Sequence, residues 1–289
     1  MTLFQLIKIT LDELYEQGLR EYGHELDAQI KKKMSYLSES YGNLSNSRRQ
    51  PIDYRDPATR FAYVYCYVAT HGDYIVQALA ILRDHLAGNI FQNESARVSC
   101  LGGGPGSDIL AILKYLSEQP SEPVKKLTCY LLDGEQAWAD TWTEIDESLG
   151  VNLQLKTNFQ SLDVTRPDTW KYQTNFLKAD LFTLSYFVSE VYSLDDKGDV
   201  TAFWNNLLER AKPGAMVLYI DNGNDIFNEY FDGIWAGTDF KCLLNASNEA
   251  WTPRCSEQTT DIQTYINRFG RSPKLRGYLS LRVLRKADA

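Results

Sequence analysis

The sequence has little of what declares a metal site or a disulfide frame. Its 289 residues include five cysteines and three histidines. Cys66, Cys100, Cys129, Cys242 and Cys255 are scattered and form no CxxC pair. Neither a zinc site nor a disulfide scaffold is expected, and reduced thiols are the plain reading. No apolar run approaches the roughly 20 residues that cross a bilayer. The opening stretch MTLFQLIKITLDELYEQGLREYG has no basic segment ahead of an apolar core and meets acids by Asp12, so no signal peptide is expected. Positive charge is also scarce. Against 38 Asp and Glu stand 30 Lys and Arg, a formal net charge of -8. Such a chain repels nucleic acid on average, although a local basic face stays open. The basic residues that cluster are Arg48 and Arg49, then Lys274, Arg276, Arg282, Arg285 and Lys286. A strand with basic residues on its outer side is the commoner explanation for the second group. These absences lead us to expect a soluble, cytoplasmic protein with no membrane partner.

What is present is an ordinary globular composition, 44% hydrophobic and 24% charged. It suits one large domain, or one domain with an added part. The first hundred residues read as helices. Leu3, Leu6, Ile7, Ile9, Leu11 and Leu14 make a loose amphipathic pattern, and residues 43–60 read as a polar loop with two prolines. Phe61, Val64, Tyr65, Val68, Ile75, Leu79, Leu82 and Leu86 follow three-to-four spacing. The alternation of Tyr63, Tyr65 and Tyr67 is the competing strand signal. His71-Gly72-Asp73 is expected to interrupt the pattern, with Asp73 capping a second helix. We expect a helical extension or lid over 1–95.

From residue 96 the texture changes. RVSCLG, KLTCYLLD, VNLQLKTNF, ADLFTLSY and AMVLYID read as strands. Between them lie helical stretches such as SDILAILKYLSE, DVTAFWNNLLERAKPG and EQAWADTWTEIDESLG, the last with Gly150 as its expected C-cap. FKCLLNAS and GYLSLRVLRK read as an antiparallel pair at a sheet edge. This alternation predicts an α/β fold over 96–289: a doubly wound, mostly parallel seven-stranded sheet with helices on both faces.

The stretch VSCLGGGPGSDIL sits between the first strand and the first helix of that sheet, where ligands bind in such folds. Gly102, Gly104 and Gly106 allow positive φ and leave bare backbone. Ser107 or Asp108 is expected to cap the helix. An acid in the first helical turn opposes a pyrophosphate but not a cationic or zwitterionic ligand. No GK[ST] follows, which excludes a P-loop. The second strand ends in Asp133, placed to accept bonds from ribose hydroxyls, with Glu135 two residues on. The plainer readings stay open: glycines kept for tight packing, Asp133 as a helix cap, Asp163 as a turn residue, Tyr186 as core.

LGGGPGSD, YLLDGE, ADLFTLSYFVSEVY and LERAKPGAMVLYIDN, in this order and spacing, resemble the class I (Rossmann-like) S-adenosylmethionine-dependent methyltransferases. The FTLSYFVSEVYS…KPG block is more faintly similar to eukaryotic large-subunit rRNA uridine-N3 methyltransferases. The resemblance implies S-adenosylmethionine as methyl donor and a methyl-acceptor substrate, a small molecule or RNA; the rRNA likeness would add a nuclear location. It implies that Gly102, Gly103, Gly104 and Gly106 form the turn under the donor's methionine part and ribose, and that Asp133, with Gly134 and Glu135, meets the ribose. It also implies that Asp163 meets the adenine, and that Ser185 and Tyr186 face the transferred methyl, with Arg60 and the tyrosines near it as a lid over the pocket. One departure stands out: Cys100 occupies the position where such families carry an acid for the methionine ammonium, which makes Asp108 a substitute. Candidates for a general base are Tyr186, Glu190 and His71, with Asp221 also considered. LSYF stands where an NPPY-like tetrapeptide would mark an exocyclic-amine acceptor. The alternative is a non-catalytic donor-binding sensor or scaffold. A nicotinamide-dependent oxidoreductase is opposed by the GxGxG spacing and Asp108.

Overall fold

The computed structural model describes residues 2–46, 50–85, 90–119, 123–149, 152–195, 197–254, 262–274 and 276–288. The Arg48-Arg49 pair, Gly150 and Cys255 lie outside them. Helix α1 (Leu3–Tyr22) opens on a capping box: Gln5 N–H donates to Thr2 Oγ1 and Thr2 N–H to Gln5 Oε1, and the helix ends at Gly23 with φ +53°. It buries Leu3, Ile7, Leu11 and Leu14, while Ile9 faces out. Helix α2 (Leu26–Gly42) buries Leu26, Ile30, Met34 and Leu37 on one face.

The expected polar loop ends at residue 56 rather than 60. Asp56 accepts the Ala58 N–H and Pro57 takes the first helical position, so α3 (Pro57–Tyr63) starts inside it. The alternating tyrosines are helical. Helix α3 passes through π-helical turns at Val64–Val68 into α4 (Ala69–His85), which runs on past His71 and Asp73. Asp73 therefore caps nothing. Its buried carboxylate accepts from Arg254 and from Gln77 instead, because an interior helical residue has its own N–H already paired.

The strands are β1 (Ser95–Leu101), β2 (Lys126–Asp133), β3 (Gln154–Ser161), β4 (Leu181–Ser185), β5 (Met216–Asn222), β6 (Phe240–Trp251) and β7 (Gly277–Lys286). Their order in the sheet is β3-β2-β1-β4-β5-β7-β6, parallel except for β7, which runs antiparallel to both β5 and β6. The direction of winding reverses between β1 and β4, which puts the crevice of a doubly wound sheet at their carboxyl ends. This is the α/β, Rossmann-like arrangement that the alternating pattern predicts, with the helical N-terminal region as expected.

Period-two alternation splits the apolar residues between two faces. Val98, Cys100, Leu127 and Leu131 join one core with α1 to α4, α5 (Ser107–Glu118) and α6 (Ala137–Ser148). Leu101, Leu132 and Leu184 join the other. The helices around that side are α7 (Pro167–Trp170), α8 (Phe187–Val191), α9 (Asp199–Arg210) and α10 (Asp225–Trp235). The basic residues of β7 do not form an outer face. Arg282 is buried on Asp232, and Lys286 is buried with its ammonium on the Leu208 and Glu209 carbonyls at the end of α9, where the helix dipole favours a cation. Helix α11 (Ile262–Phe269) brings Tyr265 and Phe269 back onto Phe61 and Tyr65.

Candidate active site

The glycine turn leaves β1 and enters α5. Gly102, Gly104 and Gly106 all have positive φ, +61°, +47° and +84°. Three of the four glycines are also demanded by the protein's own packing. A Cβ would lie 2.3 Å from the Phe187 ring at Gly102, 2.6 Å from Leu131 at Gly103 and 2.1 Å from the Trp142 indole at Gly106. Only at Gly104 does the added atom stand clear, with the Trp138 indole at 3.9 Å. The open backbone is thus one residue wide, and the tight-packing reading holds for the others.

The expected side-chain cap of α5 is absent. Gly106 itself stands at the N-cap, in left-handed conformation with no capping hydrogen bond. Asp108 points the other way, into the sheet. Only 2% exposed, it accepts the Thr183 hydroxyl from β4. Burial raises its carboxyl to about 7. Cys100, in the usual acid's place, is fully buried, and burial pushes its thiol well up.

Asp133 ends β2 with both oxygens in use: the Gly104 N–H donates to Oδ2 (3.0 Å) and the Glu135 N–H to Oδ1 (2.9 Å). Burial still raises it, to about 6. Each oxygen keeps a lone pair for a hydroxyl donor. Glu135 turns back to accept the Ala137 N–H at the start of α6. Asp163 adjoins Gly134 at about van der Waals distance, but its Oδ1 closes a local turn through the Thr165 amide and hydroxyl.

Across this corner the N-terminal helices lay tyrosines. Tyr54 and Tyr63 pack on Trp138 with ring centroids 5.0 and 5.4 Å away, and the Tyr41 and Tyr54 hydroxyls bond each other. Arg60, expected near a lid, is structural: its guanidinium holds the carbonyls of Tyr54 and Arg55 and the side chain of Gln17. Burial raises the Tyr63 hydroxyl, and the charges that add most to it are all carboxylates: Glu190, Asp108 and Asp133. Aromatic faces and converging acids suit a cation.

Ser185 and Tyr186 end β4. Tyr186 has φ +57° and ψ +19°, a conformation a bulky side chain adopts rarely and at a cost. Its ring stacks on His71, centroids 3.8 Å apart and 16° from parallel. Burial holds His71 neutral, well below its ordinary pKa. Neither His71 Nε2 nor the Tyr186 hydroxyl has a hydrogen-bond partner among the described residues. Asp221 is excluded as a base by its engagements: it accepts the Ser189 and Asn222 amides and so fixes the start of α8. Beside Tyr186 opens a cavity of about 350 Å³ whose lining includes Tyr67, His71, Asn222, Arg271 and Lys274. Its volume fits a small ligand or one ring of a larger one.

The sequence profile of a family described as "Putative SAM-dependent methyltransferase" matches residues 57–230, more than half the chain. The chain belongs to that family. Methyl transfer is the family's activity and S-adenosylmethionine its donor, so an acceptor is implied. No curated protein matches the chain. Solved structures with a similar fold include a SAM-dependent methyltransferase from Methanosarcina mazei, at 11% identity and TM-score 0.46, covering 72% of this chain and 98% of that one. An O-methyltransferase family protein from Burkholderia thailandensis gives 13% identity and TM-score 0.48, with 91% and 73% covered. The N-methyltransferase NodS from Bradyrhizobium japonicum, in complex with S-adenosyl-L-homocysteine, gives 11% identity and TM-score 0.42, with 86% and 98% covered. Among the described residues no helix is long and apolar enough to cross a membrane, and no cluster of ligating side chains could hold a metal.

The residues present fit a sulfonium donor. Asp133 holds the open Gly104 backbone beside a wall of electron-rich rings, and a second carboxyl, Asp108, is buried behind the turn on Thr183. Sequence reading missed two contributors: the left-handed backbone of Tyr186 and Lys274 as a cavity residue. Of the tyrosines near Arg60, expected at a lid, Tyr54 and Tyr63 do pack at this corner, joined by Tyr41 of α2.

Proposed function

We propose that this methyltransferase holds S-adenosylmethionine at the Gly104 corner and methylates an acceptor, a small molecule or RNA, seated in the cavity beside Tyr186. When bound, the donor supplies an electrophilic methyl activated by its own positive sulfur. In this reading Asp133 accepts from the ribose hydroxyls, next to Gly134 and Glu135. Asp108 takes the ammonium that Cys100 cannot. Asp163 borders the adenine. Ser185 and Tyr186 stand where donor and acceptor meet, and the tyrosine wall shuts out water and aligns the pair, the main service such a displacement needs. Residues 1–95 act as the covering extension and 96–289 as the donor-binding domain.

The observation that carries the reading is Asp133 accepting the N–H of Gly104, the one glycine of the turn with open space, beside Trp138 and the tyrosines packed on it. It favours a cationic ligand over a pyrophosphate one. His71 is neutral and could accept a proton through Nε2; Glu190 and Tyr186 are the other groups within the site. The rRNA uridine likeness supports a ring acceptor and nothing narrower. Thermal unfolding tests donor binding: S-adenosylhomocysteine at millimolar concentration should raise the melting temperature, NADH should not, and Asp133→Ala should abolish the rise. No rise with the wild-type chain would end both this reading and a donor-binding scaffold. A rise with no labelled methyl passed to RNA, protein or metabolite pools would favour the scaffold.

A further inference from the structure

Lys274 is pinned where it stands. Its N–H donates to the Cys66 carbonyl at 2.9 Å, and the Thr70 hydroxyl donates to its own carbonyl. Both partners lie on the helical run that carries His71, so the backbone of Lys274 is fixed at the edge of the cavity. Nζ sits 4.9 Å from the centre of the Tyr186 ring. It makes no hydrogen bond or ion pair with any described residue. Burial lowers it to about 8, against the pull of Asp221, and its charge helps hold His71 neutral. The titratable and charged groups around it are Asp221 from β5, Tyr186 after β4, His71 from α4, Tyr67 and Cys66 from the π-helical turns, Tyr41 from α2 with Glu190 of α8 acting on it, and Arg271 three residues before. Asp221 already accepts two backbone N–H groups, so it is a distant counter-charge and not a partner. Among the described residues the cavity lining holds two cations, Arg271 and Lys274, and no carboxylate.

A sheltered ammonium without a counter-ion costs free energy that an anion at the same place would return. The rings of Tyr41, Tyr67, His71 and Tyr186 all line the cavity, which favours a flat ligand. We infer that the cavity binds the methyl acceptor as a planar, deprotonated ring, with the Lys274 ammonium beside the atom that has lost its proton. The inference rests on the proposed donor site and names the acceptor's chemistry: a ring bearing an acidic N–H or O–H. On binding, the acid form releases that proton to solvent, and the electron pair left behind is the nucleophile. A neutral amine acceptor is excluded, since it would place no charge at Lys274.

The probe is 4-nitrophenol, whose phenolate absorbs visible light, titrated in the presence of excess wild-type protein and S-adenosylhomocysteine. The expected result is a fall of about one unit in its apparent pKa, a roughly tenfold preference for the phenolate. Lys274→Arg should keep most of that shift and Lys274→Met should lose it, with melting temperatures confirming that both fold. No shift with the wild-type chain, or an equal shift with Lys274→Met, overturns the inference. The homocysteine-induced rise in melting temperature is read on the same samples. Its presence alongside an unshifted probe sinks the acceptor inference alone, whereas its absence sinks the donor site on which the inference rests.

Discussion

The two sides of Tyr186 are opposite in sign. Toward the glycine turn lie Asp133, Asp108 buried on Thr183, and the tyrosines packed on Trp138; toward the cavity lie Lys274 and Arg271, with no acid among the described lining residues. One stacked pair, Tyr186 on His71, stands on the cavity side of this divide. If donor and acceptor sit as proposed, the contrast teaches how an acidic chain can serve two ligands of different charge on either side of one residue. Opposite charge at each station draws in its own ligand and repels the other's. Methyl transfer needs this arrangement, because a cationic donor and an electron-rich acceptor must be brought together without exchanging places.

The sharpest way to destroy the acidic side is to fill its turn. Gly106→Ala forces an L-residue to φ +84° and drives a Cβ to 2.1 Å from the Trp142 ring. Left-handed strain and overpacking together should cost about 2–4 kcal/mol, read as a lowered denaturant midpoint with loss of donor binding. Gly104→Ala, where space is open, should cost only the strain, about 1–2 kcal/mol, so the difference between the two variants measures packing alone.

Removing charge from the same side comes next. Asp133→Ala should weaken S-adenosylhomocysteine by about 10- to 100-fold in calorimetry, the value of a desolvated hydroxyl–carboxylate contact. A loss below threefold would remove Asp133 from the ribose. Asp108 gives a pH signature. Its folded carboxyl, near 7, lies above the unfolded value, so the folded chain binds the extra proton. Its contribution to stability is full below the ordinary carboxyl range and is lost as pH rises through about 7. A ligand ammonium prefers the ionised form, so affinity should run the other way, rising between pH 5.5 and 7.5 with proton release. Asp133, raised to about 6, adds to the lower part of that window. Asp108→Asn should flatten the upper part of the affinity profile and weaken binding about tenfold at pH 7.5, as calorimetry in two buffers would show.

The smallest effect is expected at the boundary. Tyr186→Phe deletes a buried hydroxyl with no protein partner. Stability should stay within about 0.5 kcal/mol or rise slightly, since nothing is left unpaired. Methyl transfer should fall if that hydroxyl touches the acceptor, and single-turnover rates would show it.

Much of the acidic side was legible in the chain. Strand–helix alternation gave the sheet, and the glycines with Asp133 gave the corner, because these signals lie within one βαβ unit. Even there the direction of Asp108 was not legible. A first-turn acid looks like a cap, and only the position of Thr183 on a non-adjacent strand turns it inward. The cavity was illegible for a related reason. Lys274 is one basic residue among several in the sequence, and it gains meaning only beside Tyr186 and His71, which no local period connects to it. Tyr186 carried no sign of its left-handed backbone either, since that conformation is imposed by Ile220 accepting its N–H and by Asp221 fixing the next helix.

The bonds that complete the cavity close very large loops. Tyr65 reaches the Arg271 carbonyl across 206 positions, Thr70 reaches Lys274 across 204, and Arg254 reaches Asp73 across 181. Such closures come late in folding, after the parallel strands have zipped, and local opening undoes them first. On a ribosome this wall cannot exist until residue 274 has emerged, long after the glycine turn. In hydrogen exchange the amide of Lys274 should lose its protection ahead of those of β1 and β4, which would make the cavity side the one held most loosely.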